Sequence, residues 1–217
     1  MPSRVSSAGL WCVVAVAAFA CAGSPTEPSP TPLTVSLNSA SWETISDPQP
    51  YPLANQGTAL TFEFPRAGAM HYLFTPSTLP AIHGTIALSF AITASGPVVF
   101  NSLDPQSSSC TIAAAVRPFF WANDNGNGPY DRWWSNPRAF TLAAGNGTLS
   151  VPLKPENWSS VNGKIGNADS ETRFAFEKAL LNVTRLGMTF GGGCSFGHGI
   201  NVSGGTASFA LTEFVIR

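Results

Sequence analysis

Alternation is the feature that most limits what this chain can become. Leu60, Phe62 and Phe64 fall on one face of an extended segment, and Ala59, Thr61 and Glu63 on the other. Ile86, Leu88, Phe90 and Ile92 repeat the pattern, as do Leu149, Val151 and Leu153, and Leu186, Met188 and Phe190. A period of two with one apolar face marks half-buried strands. Between these runs lie turn clusters such as Ala94-Ser95-Gly96-Pro97, Gly145-Asn146-Gly147 and Ser203-Gly204-Gly205. Many short strands with frequent turns predict an all-β protein, an antiparallel β-sandwich of the jelly-roll type. One short helix interrupts near 170–182. Ser170 suits its cap, Glu171 its first turn, and Phe176, Ala179, Leu180 and Val183 form an i, i+3, i+4, i+7 stripe. It is expected to cover an open edge or end of the sandwich.

Residues 1–20 read as a secretory signal. Arg4 precedes an apolar run from Leu10 to Ala20, which is too short to span a bilayer as a helix. The run ends in Ala18-Phe19-Ala20, and Cys21 follows. This segment resembles a bacterial lipoprotein signal, which implies acylation of Cys21 and a membrane held through the lipid anchor only. Where that pattern has Leu and a small residue, this chain has Ala18 and Phe19, and plain cleavage with release is the alternative. Residues 21–32 are rich in proline and predict an extended tether, about 3.1 Å per residue and so about 30 Å long. The folded domain is expected over 33–217. The protein should therefore be exported and anchored on the cell envelope, at the outer membrane or cell surface.

Four cysteines sharpen this reading. Cys12 leaves with the signal, and Cys110 and Cys194 lie in the domain. Simple release would leave Cys21 as an odd thiol in an oxidising compartment, which acylation removes. Cys110 and Cys194 are expected to form a disulfide. It would close a loop of about 84 residues, a constraint of about 4.5 kcal/mol in the chain-entropy model. Two buried free thiols are the alternative.

Composition excludes several functions. Only 11% of the chain is charged, and without Arg4 ten basic residues face twelve acidic ones, a net charge of −2. No basic cluster exists, so nucleic acid is not an expected partner. Gly193-Cys194-Ser195-Phe196-Gly197 is formally G-x-S-x-G, yet strand and turn chemistry follows where a nucleophile elbow needs a helix. His198 is the sole downstream histidine, and no acid separates it from Ser195. Gly191-Gly192-Gly193 lacks the Lys-Ser or Lys-Thr of a phosphate loop. The histidines at 71, 83 and 198 show no ligand spacing, and no cofactor is expected. Asn123 to Gly128 offers alternating oxygen side chains that would suit a structural calcium. Counting from Asn123, however, position twelve is Trp134 where an EF-hand needs a glutamate. Glu63, Asp104, Asp131 and Glu156 stand singly rather than as a glycosidase pair. The chain is not expected to be an enzyme.

The segment 119–134 carries the candidate site. Adjacent strand residues point to opposite faces, so Phe119 and Trp121 share a face that Phe120 does not, and Trp133 and Trp134 diverge. At least one of those rings is expected to be exposed, or shielded only by a loop. Trp121, Asn123, Asp124, Asp131, Arg132, Trp133 and Trp134 thus read as a binding set: rings for the apolar faces of a sugar, amides, a carboxylate and a guanidinium for its hydroxyls. The alternative is that both tryptophans fill the interior while Arg132 pairs with Asp131.

The C-terminal order adds a resemblance. A short helix leads to Asn182-Val183-Thr184-Arg185-Leu186-Gly187-Met188-Thr189-Phe190, then a glycine-rich turn, Gly197-His198-Gly199-Ile200, and a closing strand, Ala207 to Ile216. This looks like the end of the galactose-binding-like jelly rolls of bacterial extracellular proteins and carbohydrate-binding modules. The resemblance covers about a fifth of the chain and transfers no binding residue. It implies a non-catalytic surface lipoprotein that binds glycan or a related extracellular polymer. A structural or protein-binding lipoprotein and a small extracellular hydrolase are the alternatives.

Overall fold

The computed structural model describes residues 31–76, 79, 81–103, 113–123, 128–136, 139–192 and 197–217. Cys21, Cys110, Asp124 and Cys194, the signal and most of the tether lie outside these residues, as do Asn125 to Asn127 and Gly193 to Phe196. The strands, in chain order, begin with β1 (Leu33–Thr34), β2 (Glu43–Asp47), β3 (Ala54–Gln56), β4 (Ala59–Glu63) and β5 (Ala69–Pro76). Next come β6 (Thr85–Ser95), β7 (Val99–Ser102), β8 (Ala115–Trp121), β9 (Arg132–Ser135) and β10 (Phe140–Thr141). The chain continues through β11 (Gly145–Pro152), β12 (Trp158–Ser160), helix α1 (Ser170–Ala179), β13 (Arg185–Gly191), β14 (Ile200–Ser203) and β15 (Thr206–Ile216).

These strands make the expected antiparallel sandwich. One sheet runs β11-β6-β15-β4-β3, with β1 beside β15. The other runs β12-β9-β8-β13-β5-β14-β7, with β10 on β8 and β2 on β5. The alternating residues face the interior as read: Leu60, Phe62, Phe64, Ile86, Leu88, Phe90, Ile92, Leu186, Met188 and Phe190 are all buried in one core between the sheets. Phe62, Phe90, Phe190 and Phe209 pack ring on ring at its centre, with centroids 4.9–5.6 Å apart where they touch. Gly191 is paired with Ala115 at one end of the larger sheet.

Two details differ from the expectation. Asp169, not Ser170, caps α1: its carboxylate accepts from the Thr172 backbone N–H at 2.7 Å, one residue before the first helical turn. The helix also stops at Ala179, with Leu180 as C-cap, rather than near Asn182. The apolar stripe still buries Phe176, Ala179, Leu180 and Val183, because the chain beyond the helix keeps that face inward. Phe176 meets Trp133 at 5.0 Å and Phe120 at 5.9 Å, which seats the helix on the end of β8 and β9.

The larger sheet departs from simple alternation. Every residue of β8 is buried, and six of the seven residues of β13 are. A strand in the middle of a sheet with both faces covered loses its polar side. Tyr72, Phe74, Phe119, Trp121 and Trp134 form a second aromatic cluster on the outer face. Gly187 sits directly between Phe74 and Phe119 in register, and a Cβ there would collide with the Leu73 carbonyl and the Phe74 backbone. Its lack of a side chain lets the rings on either side close over β13.

Candidate functional site

Strand pairing divides the predicted site. Phe119 opposes Trp134, Phe120 opposes Trp133 and Trp121 opposes Arg132. Phe120 and Trp133 turn inward, while Phe119, Trp121 and Trp134 turn outward. The divergence of the two neighbouring tryptophans is as the sequence requires. The expected exposed ring is not there: Trp121, Trp133 and Trp134 keep 4%, 0% and 3% of their surface. The outward rings bury one another in a cluster of their own, so opposite orientation does not mean exposure. Arg132 is not paired with Asp131 but stacks on Trp121, its guanidinium carbon 4.4 Å from the ring centroid.

Residues 122–123 and 130–131, beside the ends of β8 and β9, form an open groove of about 540 Å³ with helix α1. Asn123 and Asp131 line it, together with Tyr130, Glu171, Phe174, Lys178, Asn182 and Thr184. Trp133 builds its wall from below. The indole stacks on Tyr130 at 6.1 Å and 15°, and its Nε1 donates to the Tyr130 carbonyl at 2.8 Å. Asp131 anchors its own turn by accepting from the Gly128 N–H at 2.9 Å, and a Cβ at 128 would strike that carboxylate. At the floor, the Thr184 N–H donates to the Trp121 carbonyl at 2.8 Å and Asn182 Nδ2 to the Ala122 carbonyl at 3.3 Å.

The helix start fixes the other wall. Asp169 accepts from both the backbone and the hydroxyl of Thr172 at 2.7 Å and pairs with Lys164 at 3.3 Å. The Thr172 bonds, side chain first, and then Lys164 pull the Asp169 carboxyl down to about 2. The Tyr130 hydroxyl lies 3.5 Å from Thr172 Oγ1, which links the aromatic wall to this cap. Phe174 is 68% exposed and Leu181 60%, and a second hollow of about 520 Å³ opens on the far side of Phe174 and Lys178, lined by His83, Glu177 and Leu180.

The outer face is chemically different. Arg132 and Arg185 both lie over Trp121, at 4.4 and 4.9 Å, and Arg185 also lies 4.7 Å from Phe74. Arg117 is buried, donates to the Ser135 and Gly192 carbonyls at 3.3 and 3.4 Å, and burial lowers its pKa to about 10. Burial pushes the Tyr72 phenol up, against hydrogen bonds from Thr189 and Trp134 and the charge of Arg132. Trp121 Nε1 and Arg132 Nε are buried without a hydrogen-bond partner among the described residues, a condition that costs about 1–3 kcal/mol per donor.

Several of these residues went unread in the sequence. Phe174 stands off the apolar stripe of α1, which is itself the signal for an exposed ring. Arg117 falls two residues before Phe119, on the face already read for Phe119 and Trp121, so a cation on that face was also legible. Tyr130, Lys178 and Asn182 had no such signal, because a groove between a loop and a helix is a tertiary feature. Among the described residues no three His, Cys, Asp or Glu gather as a metal site requires, and no helix is long and apolar enough to cross a membrane. Comparison of the chain with protein-family models, with curated proteins and with solved structures finds no match.

Proposed function

We propose that this chain is an exported, lipid-anchored, non-catalytic module that binds glycan or a related extracellular polymer in the groove that α1 forms with residues 122–123 and 130–131. The observation that carries this is the lining: the rings of Tyr130 and Phe174 stand beside Asn123, Asp131, Lys178 and Asn182 in one open groove. Aromatic faces pack against sugar C–H groups, and amides, carboxylates and ammoniums bond the hydroxyls. The C-terminal resemblance to galactose-binding-like jelly rolls supports the same reading. Asp131 and Glu171 share the groove, but Asp131 spends one carboxylate oxygen on its turn, which favours positioning over acid–base work. A glycan array probed with wild type and Phe174→Ala tests the proposal. Phe174→Ala should abolish the array signal while changing stability by no more than about 0.5 kcal/mol, as exposed positions do. Unchanged array binding would overturn it.

A second reading, a protein-binding lipoprotein, is favoured by the exposed apolar pair Phe174 and Leu181 beside the second hollow. A blank glycan array with wild type would move the weight there. Anchoring rests on Cys21 and the proline tether. Cys21→Ser should shift the protein from the membrane fraction to the soluble one; wild type already soluble would remove the anchor from the proposal.

A further inference from the structure

On the outer face of the larger sheet, Trp121 Nε1 and Arg132 Nε find no acceptor among the described residues. We infer that Trp121 and Arg132 form a receptor for an anionic oxygen group, a carboxylate or sulfate carried by an extracellular polysaccharide, separate from the groove beside α1. The two residues are register partners across β8 and β9, and the guanidinium lies on the indole at 4.4 Å. Trp121 is 4% exposed, and its Nε1 and the Nε of Arg132 are both buried and unpartnered. An indole N–H and a guanidinium N–H only donate, so a group that satisfies both must accept. The fixed charge of the guanidinium selects an anionic acceptor, for which its planar fork is suited.

Charge on the same ring points the same way. Arg185 approaches the same ring from 4.9 Å, so two guanidiniums lie over one indole. Arg132 Nε has no hydrogen-bond partner among the described residues. The residue is only half-buried, so part of it meets solvent. A polysaccharide fits better than nucleic acid, whose evenly spaced phosphates call for a basic stripe that a chain of net charge −1 lacks.

Affinity electrophoresis of the exported protein tests this in gels containing polygalacturonate, dextran sulfate or neutral dextran. Polygalacturonate reads the carboxylate source and dextran sulfate the sulfate source. One or both should retard the protein, increasingly so at low salt, and neutral dextran should not. Arg132→Gln should raise the apparent Kd by about tenfold or more. Trp121→Phe keeps an aromatic ring but removes the five-membered ring with its N–H, and should raise it by about threefold to tenfold. Lys154→Gln removes an exposed cation outside both sites and should leave retardation unchanged. The inference is overturned if neither anionic polymer retards wild type, or if Arg132→Gln migrates as wild type does. Should Arg132→Gln fail to fold by circular dichroism, Trp121→Phe decides: mobility equal to wild type overturns the inference.

Discussion

The two faces of β8 and β9 use the same residue types toward different ends. Inward, Phe120 and Trp133 are held by Phe176 and Tyr130, and every polar atom of the Trp133 indole has its partner. Outward, Trp121 is as well buried, but its Nε1 has no partner among the described residues, and two arginines join Tyr72, Phe74 and Phe119 around its ring. The inner face is finished; the outer face has unspent donors. Burial alone does not tell a structural ring from a functional one. The state of the polar edge does.

The largest test of this contrast removes whole rings. Trp133→Ala and Trp134→Ala should each destabilise the domain by about 3–5 kcal/mol in urea unfolding, since both rings are buried. An effect near zero at Trp134 would mean that the outer cluster is a cover and not a core. A smaller effect concerns the cap that holds the inner groove's wall. The Asp169 carboxyl lies at about 2, below its ordinary value of 3.8. A lowered pKa contributes stability that is present above the unfolded value and lost as pH falls through the folded one. Between about pH 4 and pH 2, far-ultraviolet circular dichroism should therefore report fraying of α1, and Asp169→Asn should shrink that change. A helix signal flat across this window would detach the groove wall from its cap.

Much of the sandwich was legible because a period of two maps directly onto one buried face. Leu60-Phe62-Phe64 and Ile86 to Ile92 needed nothing else. Trp133 and Trp134 needed more. Their divergence follows from strand geometry, but whether the outward ring meets water depends on what lies over the sheet, and no local pattern encodes that. The same holds for Asn123 and Asp131. Their polarity marked the segment, while the partner wall, Phe174 and Lys178, came from a helix about 40 residues later that only the core contacts of Phe176 bring near. Cap choice failed for a simpler reason: Asp169 and Ser170 are both good caps, and Asp169 has the Thr172 hydroxyl as a second donor.

The short pairing of β1 has a mechanical consequence. Leu33 and Thr34 lie against Ile216 and Val215, past the stretch of β15 that β4 covers, while β6 holds the opposite edge of β15 along its length. A pull on the chain ahead of Leu33 therefore loads two residue pairs before any load reaches the sheet interior. Those pairs can peel and re-form while β15 stays clamped between β6 and β4, so a load applied ahead of Leu33 is met first at the rim and the sheet interior keeps its shape.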